Sequence, residues 1–185
     1  RLHELSFDLP VQRVRTSDLV AAFRCEPSAR FGAGYADQLE ALAVNSRGFL
    51  TGSIDLVFRD PHSGRWWVLD WKSNWIGERR SEASDVRCGP VHYHQAAMDE
   101  QMVHHHYPLQ AHLYLVALHR HLAARLPDYS LDRHLGGYVY CFLRGMPGAE
   151  GFDPDHASAM PGRIVEPAPL QRVDALNLAL GEASV

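Results

Sequence analysis

No stretch of this 185-residue chain approaches the roughly 18 apolar residues of a membrane-spanning helix, and no signal peptide is expected. Cysteine is scarce. Cys25, Cys88 and Cys141 are odd in number and lack C-x-x-C spacing, which argues against a disulfide framework and against a zinc or iron–sulfur site made by this chain alone. A reducing, cytoplasmic setting is the expectation. Neither a glycine-rich phosphate loop nor a G-x-S-x-G elbow is present, and there is no internal repeat or low-complexity tract. Positive charge is in short supply: 18 Lys and Arg stand against 22 Asp and Glu, a net charge of −4. A nucleic-acid partner usually needs a basic surface, so basic groups must cluster locally, or other parts of a larger protein must grip the strand. The chain begins at Arg1, inside an expected strand, so a fragment of something longer is expected. What is present is ordinary for one globular domain with a real core: 46% hydrophobic and 22% charged residues.

The informative stretch is residues 49–75, FLTGSIDLVFRDPHSGRWWVLDWKSNW. Two runs rich in β-branched and aromatic residues, Phe49 to Arg59 and Arg65 to Ser73, flank the turn-forming cluster Asp60-Pro61-His62-Ser63-Gly64. A symmetric turn pairs positions that sum to 125, so Asp55 faces Asp70. Like charges directly opposed are destabilising, and both aspartates sit among apolar neighbours. A hard divalent cation between them resolves the conflict. Strand side chains alternate, so Lys72 points with Asp70 and Trp71 points away. Two aspartates and a lysine would suit phosphodiester hydrolysis, metal and ammonium offsetting charge on the phosphate. An ordinary hairpin, with solvated aspartates and a salt-bridged lysine, fits the spacing equally well.

Elsewhere, residues 2–9 predict a strand with Leu5, Phe7 and Leu9 as its apolar face and Pro10 as its end; Glu4 lies on the opposite face. Thr16-Ser17-Asp18 predicts a helix start. Residues 28–47 are weakly patterned, and 38–43 could be helix or strand. Residues 77–90 read as an exposed loop whose Arg79, Arg80 and Arg87 are solvated charges or a DNA-backbone patch. Residues 92–106 predict a helix ending in His104-His105-His106, a poor chelate because consecutive helical side chains diverge. Pro108 opens the next helix, where Gln110 and Tyr114, four apart, share a face. Gly136-Gly137 precedes a buried strand, YVYCFLRG, ended by Arg144, a residue for DNA or for solvent. Residues 145–169 read as irregular, and 170–180 as a closing amphipathic helix.

G-x-x-D at Gly52–Asp55 followed by D-x-K at Asp70–Lys72 resembles the motifs of PD-(D/E)XK nucleases. GSIDLVF, VLDWKSNWIG, YPLQAHLYLVALHRHL and GGYVYCFLRGM, four blocks in order, are similar to the RecB-type nuclease domains within that group. The resemblance runs from about Glu4 to the C-terminus, so residues 1–185 read as a single domain of this type. It implies a restriction-endonuclease-like α/β fold, a mixed sheet with helices on both faces, and a Mg²⁺-dependent deoxyribonuclease, exonuclease or endonuclease, acting in double-strand break repair and recombination. Asp55 and Asp70, with Glu4 and the Trp71 carbonyl, are then the expected metal ligands; Lys72 orients water or stabilises charge. Gln110 and Tyr114 match a Q-x-x-x-Y motif close to metal and DNA. The implied partners are double- and single-stranded DNA, RecC- and RecD-like subunits and the RecA recombinase, with no membrane. Such domains also carry a ligand histidine on a helix before the first strand. His3 is not that residue by position, so the isolated fragment is expected to bind metal weakly or not at all, and to be inactive in that case. A non-catalytic module that binds DNA or recruits RecA is the competing reading.

Overall fold

A computed structural model describes residues 1–77, 88–148 and 161–181. Among these, five strands form one mixed sheet in the order β1-β2-β3-β4-β5. They are β1 (Leu2–Arg15), β2 (Asn45–Arg59), β3 (Trp66–Lys72), β4 (Leu135–Phe142) and β5 (Arg163–Pro167). Only the β3–β4 pair is parallel. A parallel neighbour requires a crossover, and this one contains the helices α3 (Gln95–His104), α4 (Tyr107–Ala123) and the single turn α5 (Leu131–His134). The remaining helices are α1 (Thr16–Arg24), α2 (Ala33–Leu39) and α6 (Leu170–Leu180).

The β2–β3 hairpin follows from its turn chemistry. The Asp60 carboxylate accepts the N–H groups of His62 and Ser63, each at 3.1 Å, and Gly64 supplies a left-handed residue, φ 71°. The register then has Leu56 opposite Leu69, Val57 opposite Val68 and Phe58 opposite Trp67, each pair summing to 125 as the symmetric turn requires.

Long α4 crosses the sheet and buries Leu115, Val116 and Leu118. Helix α6 packs against both α1 and α4, and all three contact the sheet, the mixed sheet flanked by helices that the sequence implies. The other face has its own cover: Trp67 lies across Gly136 and Gly137, where an added Cβ would stand 2.2 and 2.6 Å from its ring.

Three further boundaries differ from expectation. Strand β1 runs straight through Pro10, which pairs with Phe49. An edge strand tolerates a residue without an N–H when that side faces away from the ladder. Residues 145–169 are not wholly irregular, because β5 adds an antiparallel edge to β4. The undecided segment 28–47 holds α2 and the start of β2. The expected arginine-bearing loop lies, for residues 78–87, outside the described residues. At the start of α1 the Asp18 carboxylate accepts the Arg15 N–H at 2.8 Å, and Thr16 takes the Val44 N–H at 3.0 Å. The closing helix α6 has the expected bounds.

Candidate active site

The strands β2 and β3 part just where their aspartates begin. Regular pairing stops at Leu56–Leu69, and Asp55 and Asp70 are the next position outward. The inward, fully buried residues of β2 there are Ile54 and Val57, three apart rather than two, so the pleat is broken between them. Asp55 sits in that break. Its Oδ2 accepts the Trp71 N–H at 2.9 Å, so the side chain takes over a backbone bond.

Asp70 is only 4% exposed. Lys72 Nζ pairs with its buried Oδ2 at 2.7 Å. Burial pushes the Asp70 pKa above the usual carboxylate range; Lys72 pulls it back and the Asp55 charge adds to the rise.

The lysine is fixed from several sides. It donates to Gln110 Oε1 at 2.9 Å. Its ammonium lies 3.9 Å from the centroid of the Tyr107 ring and 5.1 Å from that of Tyr140, a cation–π arrangement. Tyr140 also donates to Gln110 Oε1 at 3.0 Å, and Gln110 Nε2 donates to the Tyr114 hydroxyl at 3.0 Å. Two donors on one oxygen set the orientation of the amide. Burial, then the charges of Asp70 and Asp55, push the Tyr114 pKa up to about 12, so the phenol stays protonated at neutral pH. Tyr107 is held by Asn74 Oδ1 at 3.2 Å and stacked against His105, centroids 5.2 Å apart.

Asp55, Asp70, Lys72, Gln110 and Tyr114 are therefore brought to one place. Glu4 is not joined to them. The β1–β2 register places it opposite Asp55, since Leu5 faces Ile54 and His3 faces Leu56, but it is exposed and left-handed, φ 52°. Among the described residues no three His, Cys, Asp or Glu side chains could hold a metal ion. Two neighbouring carboxylates, one of them buried, nonetheless suit Mg²⁺, which keeps several waters and takes one or two protein carboxylates beside substrate phosphate. The histidine run makes no common site: His105 stacks on Tyr107, while His106 Nδ1 meets the Tyr35 hydroxyl at 3.1 Å.

The sequence reading missed Tyr107, Tyr140 and Asn74. One signal was available: Lys72 is the only lysine, against 17 arginines. A chain that otherwise uses arginine throughout keeps a compact ammonium at one position, and the two side chains are not interchangeable there. Gly52, of the G-x-x-D motif, has a spatial role. The Phe7 ring lies across it, 2.6 Å from where a Cβ would be, and meets Tyr114 edge-on at 5.9 Å.

The chain matches the PD-(D/E)XK nuclease superfamily over residues 7–180. It is 49% identical over 100 residues to the RecBCD enzyme subunit RecB of Escherichia coli strain K12, covering 54% of this chain and 8% of that protein. It is 40% identical over 162 residues to the protein of the same name from Mycobacterium tuberculosis strain H37Rv, covering 80% of this chain and 14% of the relative. The Mycolicibacterium smegmatis protein is 38% identical over 161 residues, with the same coverage. The chain thus spans at most about a seventh of the length of these relatives.

Proposed function

Because the chain belongs to the PD-(D/E)XK nuclease superfamily, we propose that it is a RecBCD-type nuclease domain that cleaves DNA phosphodiester bonds with Mg²⁺. The observation that carries this reading is the lysine ammonium 2.7 Å from a buried aspartate oxygen, with a second aspartate, Asp55, close enough to raise that carboxylate's pKa. Asp55 and Asp70 hold the metal, the Trp71 carbonyl is a further oxygen ligand, and Glu4 adds negative charge from the neighbouring strand. When bound there, Mg²⁺ polarises the phosphate and lowers the pKa of its water. Lys72 offsets charge developing on the phosphate and positions the attacking water. Gln110 fixes the lysine, and Tyr114 fixes the Gln110 amide. RecC- and RecD-like subunits and double- and single-stranded DNA are the proposed partners, following the names of the relatives, and the cytoplasm the proposed location. RecA recruitment is the competing, non-catalytic role.

The test is Mg²⁺-dependent cleavage of linear DNA by the full-length protein that carries this domain. Asp70→Ala is expected to abolish cutting. Its apo melting temperature should hold or rise, since burial already disfavours the charged carboxylate. A clear fall in apo stability would make Asp70 structural. Absence of Mg²⁺-dependent cutting by the unmodified protein would overturn the enzymatic reading.

A further inference from the structure

The end of the sheet beside Lys72 carries an aromatic surface that the cleavage chemistry does not use. Trp71 is 44% exposed, Trp75 50% and Leu143 51%. Trp71 stands on the face opposite Asp70 and Lys72, because strand side chains alternate. In the β3–β4 ladder Trp71 pairs with Cys141 and Lys72 with Phe142, which brings Leu143 beside the chain leaving Lys72. Trp75 is three residues past Lys72, at most about 10 Å along an extended backbone. The Arg144 guanidinium lies 5.9 Å from the centroid of the Trp75 ring and is anchored by a hydrogen bond to the Ser73 carbonyl.

A half-exposed indole with a tethered guanidinium over its ring offers an apolar surface with a fixed positive charge beside it. An unpaired nucleobase with its own phosphate has the matching shape and charge. The charge of the chain points the same way. With a net charge of −4, phosphate attraction alone gives this domain little grip, whereas stacking needs no net charge. The separation also fits, since about 10 Å corresponds to roughly three nucleotide steps of a stacked strand.

We infer that Trp75, with Arg144, is a stacking site for an unpaired base of the strand being cut, within about three nucleotides of the scissile phosphate. The inference rests on the nuclease reading above and narrows its substrate. A base inside a duplex is already stacked on both faces, so this site takes a strand that has been unwound. The phosphodiester lies with Asp70 and Lys72 at the sheet end, and the base reaches the Trp75 ring.

The experiment is single-turnover cleavage by the full-length protein with Mg²⁺, on single-stranded oligonucleotides in which one abasic residue is walked along the sequence. An abasic residue at one fixed distance from a cut should slow that cut by roughly 5- to 150-fold, the scale of one lost base–aromatic stack. In Trp75→Ala the intact and abasic strands should be cut alike, and Trp75→Phe should restore part of the difference. The indole is half exposed, so unchanged melting temperatures are expected for both variants. A flat abasic scan in the unmodified protein, or the same dependence in Trp75→Ala, overturns the inference. Loss of subunit assembly in Trp75→Ala with base dependence intact would make the patch a protein-docking surface instead. The two readings fail separately. Cutting that is lost in Asp70→Ala but shows a flat abasic scan leaves the nuclease and removes the stacking site, whereas an unmodified protein that cuts nothing removes both.

Discussion

A buried cation, Arg172, and a half-buried one, Lys72, stand on either side of α4, and they are solved differently. Arg172 is 0% exposed. It donates to the carbonyls of Arg30 and Glu26 at 3.1 and 3.0 Å, and its guanidinium lies 4.6 Å from the centroid of Phe23. It also meets His112 Nε2 at 3.3 Å. Burial and then the Arg172 charge lower the His112 pKa to about 3. The imidazole is therefore neutral: Nδ1–H donates to the Pro108 carbonyl at 2.6 Å, and Nε2 accepts from the arginine. Lys72 likewise lies over an aromatic ring and binds an α4 side chain, Gln110. Its counter-charge, however, is a buried carboxylate 2.7 Å away, with a second carboxylate, Asp55, acting on the same group. Arg172 is closed by neutral acceptors, only its Nε lacking a partner, and its task is to tie α6 to the chain after α1. Lys72 is one positive charge beside two carboxylates. Cations over rings occur in both places; the excess of carboxylate marks the one suited to chemistry.

The sharpest way to break this contrast is to remove the closed node. Arg172→Leu strands two buried carbonyls and the His112 nitrogen, and should cost on the order of 2–4 kcal/mol in urea unfolding. Cleavage per folded molecule should be unchanged. A matching fall in the cleavage rate of the folded fraction would show the two nodes to be coupled.

Lys72→Arg tests the open node. The charge persists but its shape and length do not suit the space between Asp70, Gln110 and Tyr107. Single-turnover cleavage should fall by on the order of 10²-fold, while DNA binding in Ca²⁺ moves little. Unchanged cleavage would remove the lysine from the mechanism.

The smallest effect concerns the ring beneath the ammonium. Tyr107→Leu deletes a cation–π contact worth roughly 0.5–2 kcal/mol, so cleavage should slow by about 3- to 30-fold. Tyr107→Phe keeps the ring and loses only the bond to Asn74, and should recover most of the rate. Equal losses in both variants would assign the effect to the hydroxyl instead.

Much of this site could be read before any coordinates, for definite physical reasons. Register followed from the five turn residues, since a symmetric hairpin leaves no freedom in which positions face each other. Gln110 and Tyr114 followed from helical period, and α6 from its apolar spacing. Tyr107 and Tyr140 were invisible because they occupy positions that look like core, one at the first turn of α4 and one in an all-buried strand. Only the parallel β3–β4 pairing, a contact across more than sixty residues, sets Tyr140 beside Asp70. The continuation of β1 past Pro10 was hidden likewise, because its edge position is a property of the whole sheet. Glu4 shows the opposite limit: its register was recoverable, but a left-handed φ turns on local detail that alternation does not carry.

The ring of Phe7 resting on Gly52 has a consequence for how this domain can vary. Positions 7 and 52 share a single allotment of space, so neither can change freely alone. A methyl group at 52 would drive the ring toward Tyr114 and, through its hydroxyl, disturb the amide that holds Lys72. A smaller residue at 7 would relax that ban. Related domains should therefore trade bulk between these two positions in compensation, and a glycine far from any bond-breaking atom will look as invariant as the aspartate three residues after it wherever an aromatic ring occupies the other strand.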